Sequence, residues 1–366
     1  IVLRNLLIKG GQHGVEIRGK GAEGNRVEGC LIPHGRHRID LGAGAAHTLI
    51  LDNRLEMGFI GNATGAWAEE GGLLSPEESA DAARKAFVYH FFKYWASGRQ
   101  TSDDVSIAIG RGSSDTRVEG NTLDGGLIGI QINEPLGEVN VIGNVIRNFS
   151  SVGTAASRGG YRVVYEDNLF FNCGINLRLH CLNEGGFPPR EIYILRNTSI
   201  EPKGLGQHIF CHFMYETPET PQHRIVMAHN TFLGGLRALK LPPATRPEQA
   251  LRRFQVLNNA FIDCGILISA NAPTTQGKEM FGIFDYNEIG KATFSGHGKP
   301  VWFGSHNVMK ADVTGWQWDA NGFRAPEGWS QPGPDLSQPY RIGGKKYPAL
   351  PLLSPAATAP SAAYVD

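Results

Sequence analysis

Residues 165–180 read YEDNLFFNCGINLRLH. Asn168 interrupts an apolar run, a small Cys-Gly pair follows, and the segment ends in strict alternation of apolar and polar residues. Similar segments recur as TRVEGNTLDGGLIGIQI at 116–132, RIVMAHNTFLGGLRAL at 224–239 and RRFQVLNNAFIDCGILI at 252–268. Self-similarity of this kind is typical of repeat proteins, whose fold is misread if the repeat is overlooked.

The Asn in these segments serves as a marker of the repeat length. The marker positions are Asn5, Asn53, Asn121, Asn144, Asn168, Asn197, Asn230, Asn259, Asn287 and Asn307, with Gly29 holding the place between the first two. Successive spacings lie between 20 and 33 residues, except for one of 68 between Asn53 and Asn121. A period in the twenties with short β-type segments predicts a parallel β-solenoid.

The solenoid gives the recurring Asn a physical role. Strands of successive coils stack about 4.8 Å apart, so equivalent residues lie over one another. Stacked Asn side chains can then hydrogen-bond from coil to coil as a ladder. We also expect this Asn to adopt the left-handed backbone conformation at a corner, which Asn tolerates better than most residues.

Composition excludes several classes of function. The chain has 366 residues, 47 of them Gly, with zero net charge and a pI near 7.3. Overall charge therefore gives no attraction for nucleic acid. No run of eighteen apolar residues is present, so no membrane span is predicted. The five cysteines show no CxxC or Cys/His spacing of the kind that binds zinc.

The long spacing between Asn53 and Asn121 predicts an insertion at 62–105 that contains one amphipathic helix. Ser75, Pro76 and Glu78 have the arrangement of a helix N-terminus. Apolar residues then recur at helical spacing up to Trp95, and this stripe is expected to pack on the solenoid wall, with a sugar subsite beside Trp95 as the alternative. Residues 311–366 are rich in Trp, Pro and Gly and predict an irregular covering segment.

The units VxGNxI, YEDNLFFNCG, MAHNTF and VLNNAF resemble those of right-handed parallel β-helix proteins of the pectate-lyase-like superfamily. The resemblance covers about residues 1–310. It implies an all-β fold, a single-stranded right-handed parallel β-helix of about ten turns, interrupted by the one α-helical insertion. Members of the superfamily include polysaccharide lyases, glycoside hydrolases, methylesterases, epimerases and phage tailspikes. Fold alone does not choose among these activities.

The resemblance also implies a polysaccharide partner, bound in a groove on the helix face by a monomer or a homotrimer. It implies a secreted, cell-surface or periplasmic location. The chain starts without Met and inside a strand-like run, IVLRNLLI, so we expect a trimmed or partial chain that has lost its signal peptide.

Alternation along the strands predicts which residues face outward. The predicted outward set is Gln131, Asn133, Asn176, Arg178, His180, His208, Phe210, His212, Met214, Arg237, Leu267 and Ser269, with Glu134 and Glu216 at strand ends. Lys240 joins this set if a bulge resets the alternation. Stacking predicts His180, His212 and Lys240 at one height. An alternative row combines Asn133, Arg178, His212 and Arg237.

This basic face suits β-elimination from a uronic-acid polymer. The reaction needs a cation for the substrate carboxylate, a base for the C5 proton and an acid for the leaving oxygen. Arg178 or Arg237 fits the first role, and His180, His212 or Lys240 fits the second. The predicted catalytic residues are thus His180, His212, Lys240 and Arg178. The predicted substrate-binding residues are Asn133, Glu134, Asn176, Arg237, Glu216 and Trp95.

Three alternatives remain open at this point. Hydrolysis needs two carboxyl groups about 5–10 Å apart, which Glu134, Glu184 and Glu216 are available to supply. A non-catalytic glycan-binding solenoid of the tailspike type would use the same face, and a basic face can also be a solvated surface without function. Calcium sites want several carboxylates, so the scarcity of outward acids favours a site without metal or other cofactor, with calcium as the alternative.

Overall fold

The computed structural model describes the greater part of the repeat region. The described residues are 1–9, 13–33, 37–56, 105–157, 162–180, 191–201, 206–212, 224–241, 251–271, 281–290, 293–297, 302–303, 308–309, 340–342 and 345–347. All secondary structure within these ranges is β-strand. The predicted helix and the residues Trp95, Glu184, Met214, Glu216 and Asn307 lie outside them.

The repeat region forms three parallel sheets, and its strands are numbered in chain order. The first sheet has eleven strands, in the order β1 (Val2–Arg4), β3 (Arg26–Glu28), β5 (Leu49–Leu51), β8 (Thr116–Glu119), β10 (Glu138–Ile142), β12 (Arg162–Glu166), β15 (Glu191–Leu195), β18 (Arg224–Ala228), β21 (Leu251–Leu257), β24 (Phe281–Asp285) and β27 (Trp302–Phe303).

The second and third sheets share two long strands, β9 (Thr122–Asn133) and β11 (Val145–Ser157), which bend from one sheet into the other. The second sheet also contains β6 (Arg54–Glu56), β13 (Leu169–Phe171), β16 (Thr198–Glu201), β19 (Thr231–Gly234), β22 (Ala260–Ile262), β25 (Glu288–Ile289) and β28 (Val308–Met309). The third sheet also contains β2 (His13–Ile17), β4 (His37–Leu41), β7 (Val105–Ile109), β14 (Ile175–His180), β17 (Gln207–His212), β20 (Arg237–Leu241), β23 (Ile266–Asn271) and β26 (Thr293–His297).

Each coil passes through the first, second and third sheets in turn, and every pairing in these sheets is parallel with the equivalent strand of the next coil. The predicted parallel β-helix is therefore confirmed. Outside it, β29 (Tyr340–Ile342) and β30 (Lys345–Tyr347) form an antiparallel pair. Within the described ranges, no helix has the length and apolar character needed to cross a bilayer.

Columns of apolar side chains fill the interior. One column runs through the middle of the first sheet in consecutive register: Leu3, Val27, Ile50, Val118, Val141, Tyr165, Ile194, Met227, Val256 and Phe284. In the second sheet Phe232 and Phe261 stack with ring centres 5.0 Å apart. Burial of these columns supplies the main driving force for folding.

The Asn ladder lies at the corner between the first and second sheets and extends without interruption from Asn53 to Asn287. Its members are Asn53, Asn121, Asn144, Asn168, Asn197, Asn230, Asn259 and Asn287, all buried. At Asn168, for example, the backbone N–H and Nδ2 both donate to Oδ1 of Asn197, at 3.0 and 2.9 Å. The predicted ladder is confirmed for these eight residues.

Two details of the ladder prediction are wrong. The left-handed conformation belongs to the residue before each ladder Asn, as at Asp167 (φ 57°) and Arg196 (φ 54°). Asn5 (φ 55°) occupies that preceding position, so it is not a ladder residue, and neither is Gly29. The chain bends at the left-handed residue, which leaves the next side chain pointing into the corner, where its amide meets the neighbouring coil.

Candidate functional site

The outer surface of the third sheet carries a row of residues that are Cα partners on successive strands. We call it the Arg178 row. Its members are Glu16, Asp40, Ala108, Gln131, Ala155, Arg178, Phe210 and Lys240. The row is acidic in its first two coils and basic around Arg178 and Lys240.

The basic part of the row brings two predicted catalytic residues together. Arg178 and Lys240 flank Phe210 on adjacent strands, and Nζ of Lys240 lies 4.4 Å from the centre of the Phe210 ring. Arg237 lies three residues before Lys240 on β20. Burial lowers the pKa of Lys240, and the charge of Arg237 lowers it further. Burial also lowers the pKa of Arg178 to about 10, so its guanidinium stays charged at neutral pH.

A small apolar cluster beside these cations accounts for their desolvation. Val152, Ala155, Ile175 and Phe210 form a buried cluster separate from the main core. Phe210 is only 1% exposed. Removing water from around a cation disfavours its charged form. The partly buried Arg178 and Lys240 therefore lie at the margin of a low-dielectric patch.

The predicted heights of the site residues need correction. His180 and His212 are Cα partners, as predicted, but Lys240 pairs with Phe210 and so lies two residues away along the strand. Asn133 and His180 are both Cα partners of Ser157, so Asn133 belongs to the row of His180 and His212. The alternative row of Asn133, Arg178, His212 and Arg237 is therefore wrong. The side chains of His180 and His212 lie outside the described part of the chain.

A separate error concerns which residues face outward, because strands β14, β17, β20 and β23 each have an extra inward residue near their start. Two consecutive side chains are buried there, as with Asn176 and Leu177 or Leu267 and Ile268. Regular alternation is thus broken once in each of these four strands. The predictions that Asn176, His208 and Leu267 face outward are wrong, because Leu267 packs in the main apolar core and the buried Asn176 and His208 lie against Ser199 of the second sheet.

The buried polar residues at this position form an internal network. Nδ2 of Asn176 donates to Oγ of Ser199 at 2.6 Å, and that hydroxyl lies 2.7 Å from Nδ1 of His208. Nε2 of His208 lies 3.1 Å from the carbonyl of Gly234. The carbonyl can only accept, so Nε2 carries the proton and Nδ1 accepts from Ser199. Burial lowers the pKa of His208 to about 4, which keeps the ring neutral.

The carboxylates required for hydrolysis are scarce on this face. Strands β11, β14, β17, β20 and β23 contain no Asp or Glu within their bounds. Glu134, just after β9, lies 3.1 Å from Nε of Arg111. Among the described residues of this region, the outer face is therefore predominantly basic.

Sequence reasoning missed a second polar group at the other end of the Arg178 row. Nδ1 of His13 and Nδ1 of His37 lie 3.2 and 3.5 Å from Oδ2 of Asp40, and Nη2 of Arg18 lies 3.1 Å from the same oxygen. The neighbouring His37 contributes most to holding the pKa of Asp40 below its usual range, against the opposing effect of burial. The signal was the repeated pattern HGVEI at 13–17 and HRIDL at 37–41.

Comparison with known proteins leaves the family open. No family model and no curated protein matches the sequence. One solved structure that is similar is the catalytic unit of a thermostable GH87 α-1,3-glucanase from Streptomyces thermodiastaticus strain HF3-3, at 13% identity and a TM-score of 0.38. The match covers 90% of this chain and 66% of that chain, so this chain spans just under two thirds of it. The fold assignment itself rests on the strand pairings.

Proposed function

We propose that this chain is a carbohydrate-active enzyme that cleaves an acidic polysaccharide by β-elimination on the outer face of the third sheet. The observation that carries the proposal is the grouping of Arg178, Arg237 and Lys240 on neighbouring strands that contain no Asp or Glu. Such a face attracts a polyanion, and the strands described there give hydrolysis no carboxylate pair.

The proposed mechanism assigns a role to each cation. Arg178 contacts the carboxylate of a uronate residue with its planar guanidinium and stabilises the negative charge that develops when C5 loses its proton. Lys240, whose pKa is lowered by burial and by Arg237, takes that proton in its neutral form. The C4–O bond then breaks, a C4–C5 double bond forms, and the leaving oxygen receives a proton.

The donor of that last proton is assigned to the row next to Arg178. His180 and His212 are Cα partners two residues beyond Arg178 and Phe210. A histidine titrates near neutral pH and suits this role.

The test is a panel of uronic-acid polymers and neutral glucans, assayed for two products at once. Elimination gives a conjugated double bond that absorbs in the ultraviolet, together with new reducing ends. We expect both signals on at least one acidic polymer and neither on neutral glucans. Reducing ends without ultraviolet absorbance would show hydrolysis, and binding without either product would show a glycan-binding solenoid; each result would overturn the proposal.

A further inference from the structure

The acidic end of the Arg178 row contains three potential metal ligands drawn from two coils. His13 lies on β2, and His37 and Asp40 lie on β4, the next strand of the third sheet. One ligand atom from each of these side chains lies within 4.8 Å of the other two. The two imidazole rings are 5.1 Å apart and nearly perpendicular, at 81°. Perpendicular rings allow both to direct a nitrogen toward a common point.

The two imidazoles are incompletely satisfied as they stand. Nδ1 of His13 and Nδ1 of His37 are both buried, and neither makes a hydrogen bond of acceptable geometry with any residue that the structure describes. Both face the same oxygen of Asp40, which Arg18 also contacts. A buried ring nitrogen without a partner carries a free-energy cost. A cation between the two nitrogens and the carboxylate would satisfy all three groups.

The spacing of the ligand atoms matches a small tetrahedral ion. Zinc binds nitrogen and oxygen at about 2.0–2.2 Å, so two ligands of a tetrahedral site are about 3.3–3.5 Å apart. The two N···O distances here are 3.2 and 3.5 Å. Calcium would require six to eight oxygen ligands, whereas two imidazoles and one carboxylate are the donors that zinc and related ions prefer.

We propose that His13, His37 and Asp40 bind one divalent transition-metal ion of the zinc type. Three protein ligands leave a fourth position open to water or to an oxygen of a ligand. Because the ligands come from β2 and β4, the ion joins two consecutive coils of the solenoid. Arg18 also contacts Glu16, which gives its guanidinium a partner when the ion binds Asp40. The site is independent of the proposed cleavage reaction.

The test uses the whole chain, freed of metal by chelation and dialysis, and titrated calorimetrically with Zn²⁺. We expect one ion per chain, a higher melting temperature with Zn²⁺, and intense visible bands when Co²⁺ replaces it, because tetrahedral cobalt absorbs strongly. The conservative variants His13→Gln, His37→Gln and Asp40→Asn should each weaken Zn²⁺ binding by at least about tenfold. His47→Gln is the matched control, since His47 lies 3.7 Å from Asp115 in an exposed pair, and it should bind like the wild type.

Circular dichroism of the metal-free proteins establishes that each variant is folded, and Asp40→Asn changes the shape of the site least. Zn²⁺ affinity that is unchanged in folded Asp40→Asn and His13→Gln would overturn the proposal. An absence of tetrahedral cobalt bands in the wild type would do the same.

Discussion

The Asn ladder and the Arg178 row are both columns of equivalent positions, but they differ in how much the residue changes from coil to coil. The ladder keeps the same amide from Asn53 to Asn287, because each side chain hydrogen-bonds to its copy above and below. The Arg178 row changes at almost every coil, from Asp40 through Gln131 to Lys240. A repeated residue indicates a structural requirement that every coil shares. A position that varies on an outer face is where a local chemical function can be built.

The largest expected effect is a loss of turnover in the Lys240→Met variant. Methionine keeps the apolar part of the side chain over Phe210 and removes the proposed base. We expect the elimination rate to fall by roughly 10²–10⁴-fold, the usual contribution of general base catalysis. In the wild type the rate should rise with pH, because the neutral amine is the active form, and level off below the range usual for Lys, since its pKa is lowered.

The control for this variant is Arg117→Met on the outer face of the first sheet. Arg117 pairs with Glu119 at 2.6 Å and has no part in the proposed site. Its removal should leave the elimination rate unchanged, and both variants should melt close to the wild type. A Lys240→Met enzyme with full activity would remove Lys240 from the mechanism.

The second effect is a loss of stability in the Asn168→Ala variant, which removes one member of the ladder. Oδ1 of Asn168 accepts from the backbone N–H and from Nδ2 of Asn144, each at 3.0 Å. The substitution leaves that backbone N–H buried without an acceptor, so we expect the free energy of unfolding to fall by about 2–4 kcal/mol. Denaturant unfolding measures it. Asn140→Ala is the control, because Asn140 is only partly buried and bonds to Glu138; equal losses in the two variants would contradict the ladder's structural role.

This contrast also explains what could be predicted from the sequence. Ladder residues repeat, so the period and the stacked coils follow from the spacing of the Asn residues together with the β-type segments between them. The one-residue error at Asn5 arose because Asn also suits the left-handed position that precedes the ladder. Repetition reveals the column but does not by itself distinguish two adjacent columns that accept the same residue.

The candidate site was predicted less well because its geometry depends on a local irregularity. The extra inward residue in strands β14, β17, β20 and β23 has no distinctive sequence pattern. Asn176 and His208 were therefore assigned to the outer face, although their side chains point inward. Arg178, after the irregularity, was placed on the correct face, and Lys240 was placed there on the condition that a bulge interrupts β20. The grouping of His13, His37 and Asp40 depends on a ring orientation and on side chains from two coils, which no single segment specifies.

The third effect is on the pH dependence of stability and concerns His208 in the internal network. The residue at this position varies from coil to coil, but it faces inward. It therefore tests whether variation alone indicates function. His208 has a pKa of about 4 in the folded protein, below the value of about 6.5 expected when unfolded. The unfolded state therefore binds more protons between these values, and stability is lost as the pH falls from above 6.5 toward 4.

Between pH 6.5 and pH 4.5, His208 should account for a loss of about 2 kcal/mol in the free energy of unfolding. The His208→Asn variant lacks the titrating ring, so its stability should fall less steeply by that amount. Denaturant unfolding of both proteins at several pH values measures the difference. Parallel pH profiles would show that His208 is not held neutral in the folded state, and a change in substrate affinity would contradict its inward position.

The smallest expected effect is on kcat/KM in the Arg178→Lys variant. It shows whether the site needs the shape of the guanidinium or only its positive charge. Arg178→Lys keeps a positive charge but loses the planar pair of donors that can contact a carboxylate twice. Loss of one charge-assisted hydrogen bond costs about 1.5 kcal/mol, so kcat/KM should fall roughly tenfold. Arg54→Lys is the control, because Arg54 is 65% exposed on the second sheet beside Glu56 and should be indifferent to the change. If Arg178→Lys keeps full activity while Arg178→Ala does not, the site needs only a positive charge at this coil. The bidentate contact would then be withdrawn, and the varying row would contribute a local electrostatic field instead of a shaped binding site.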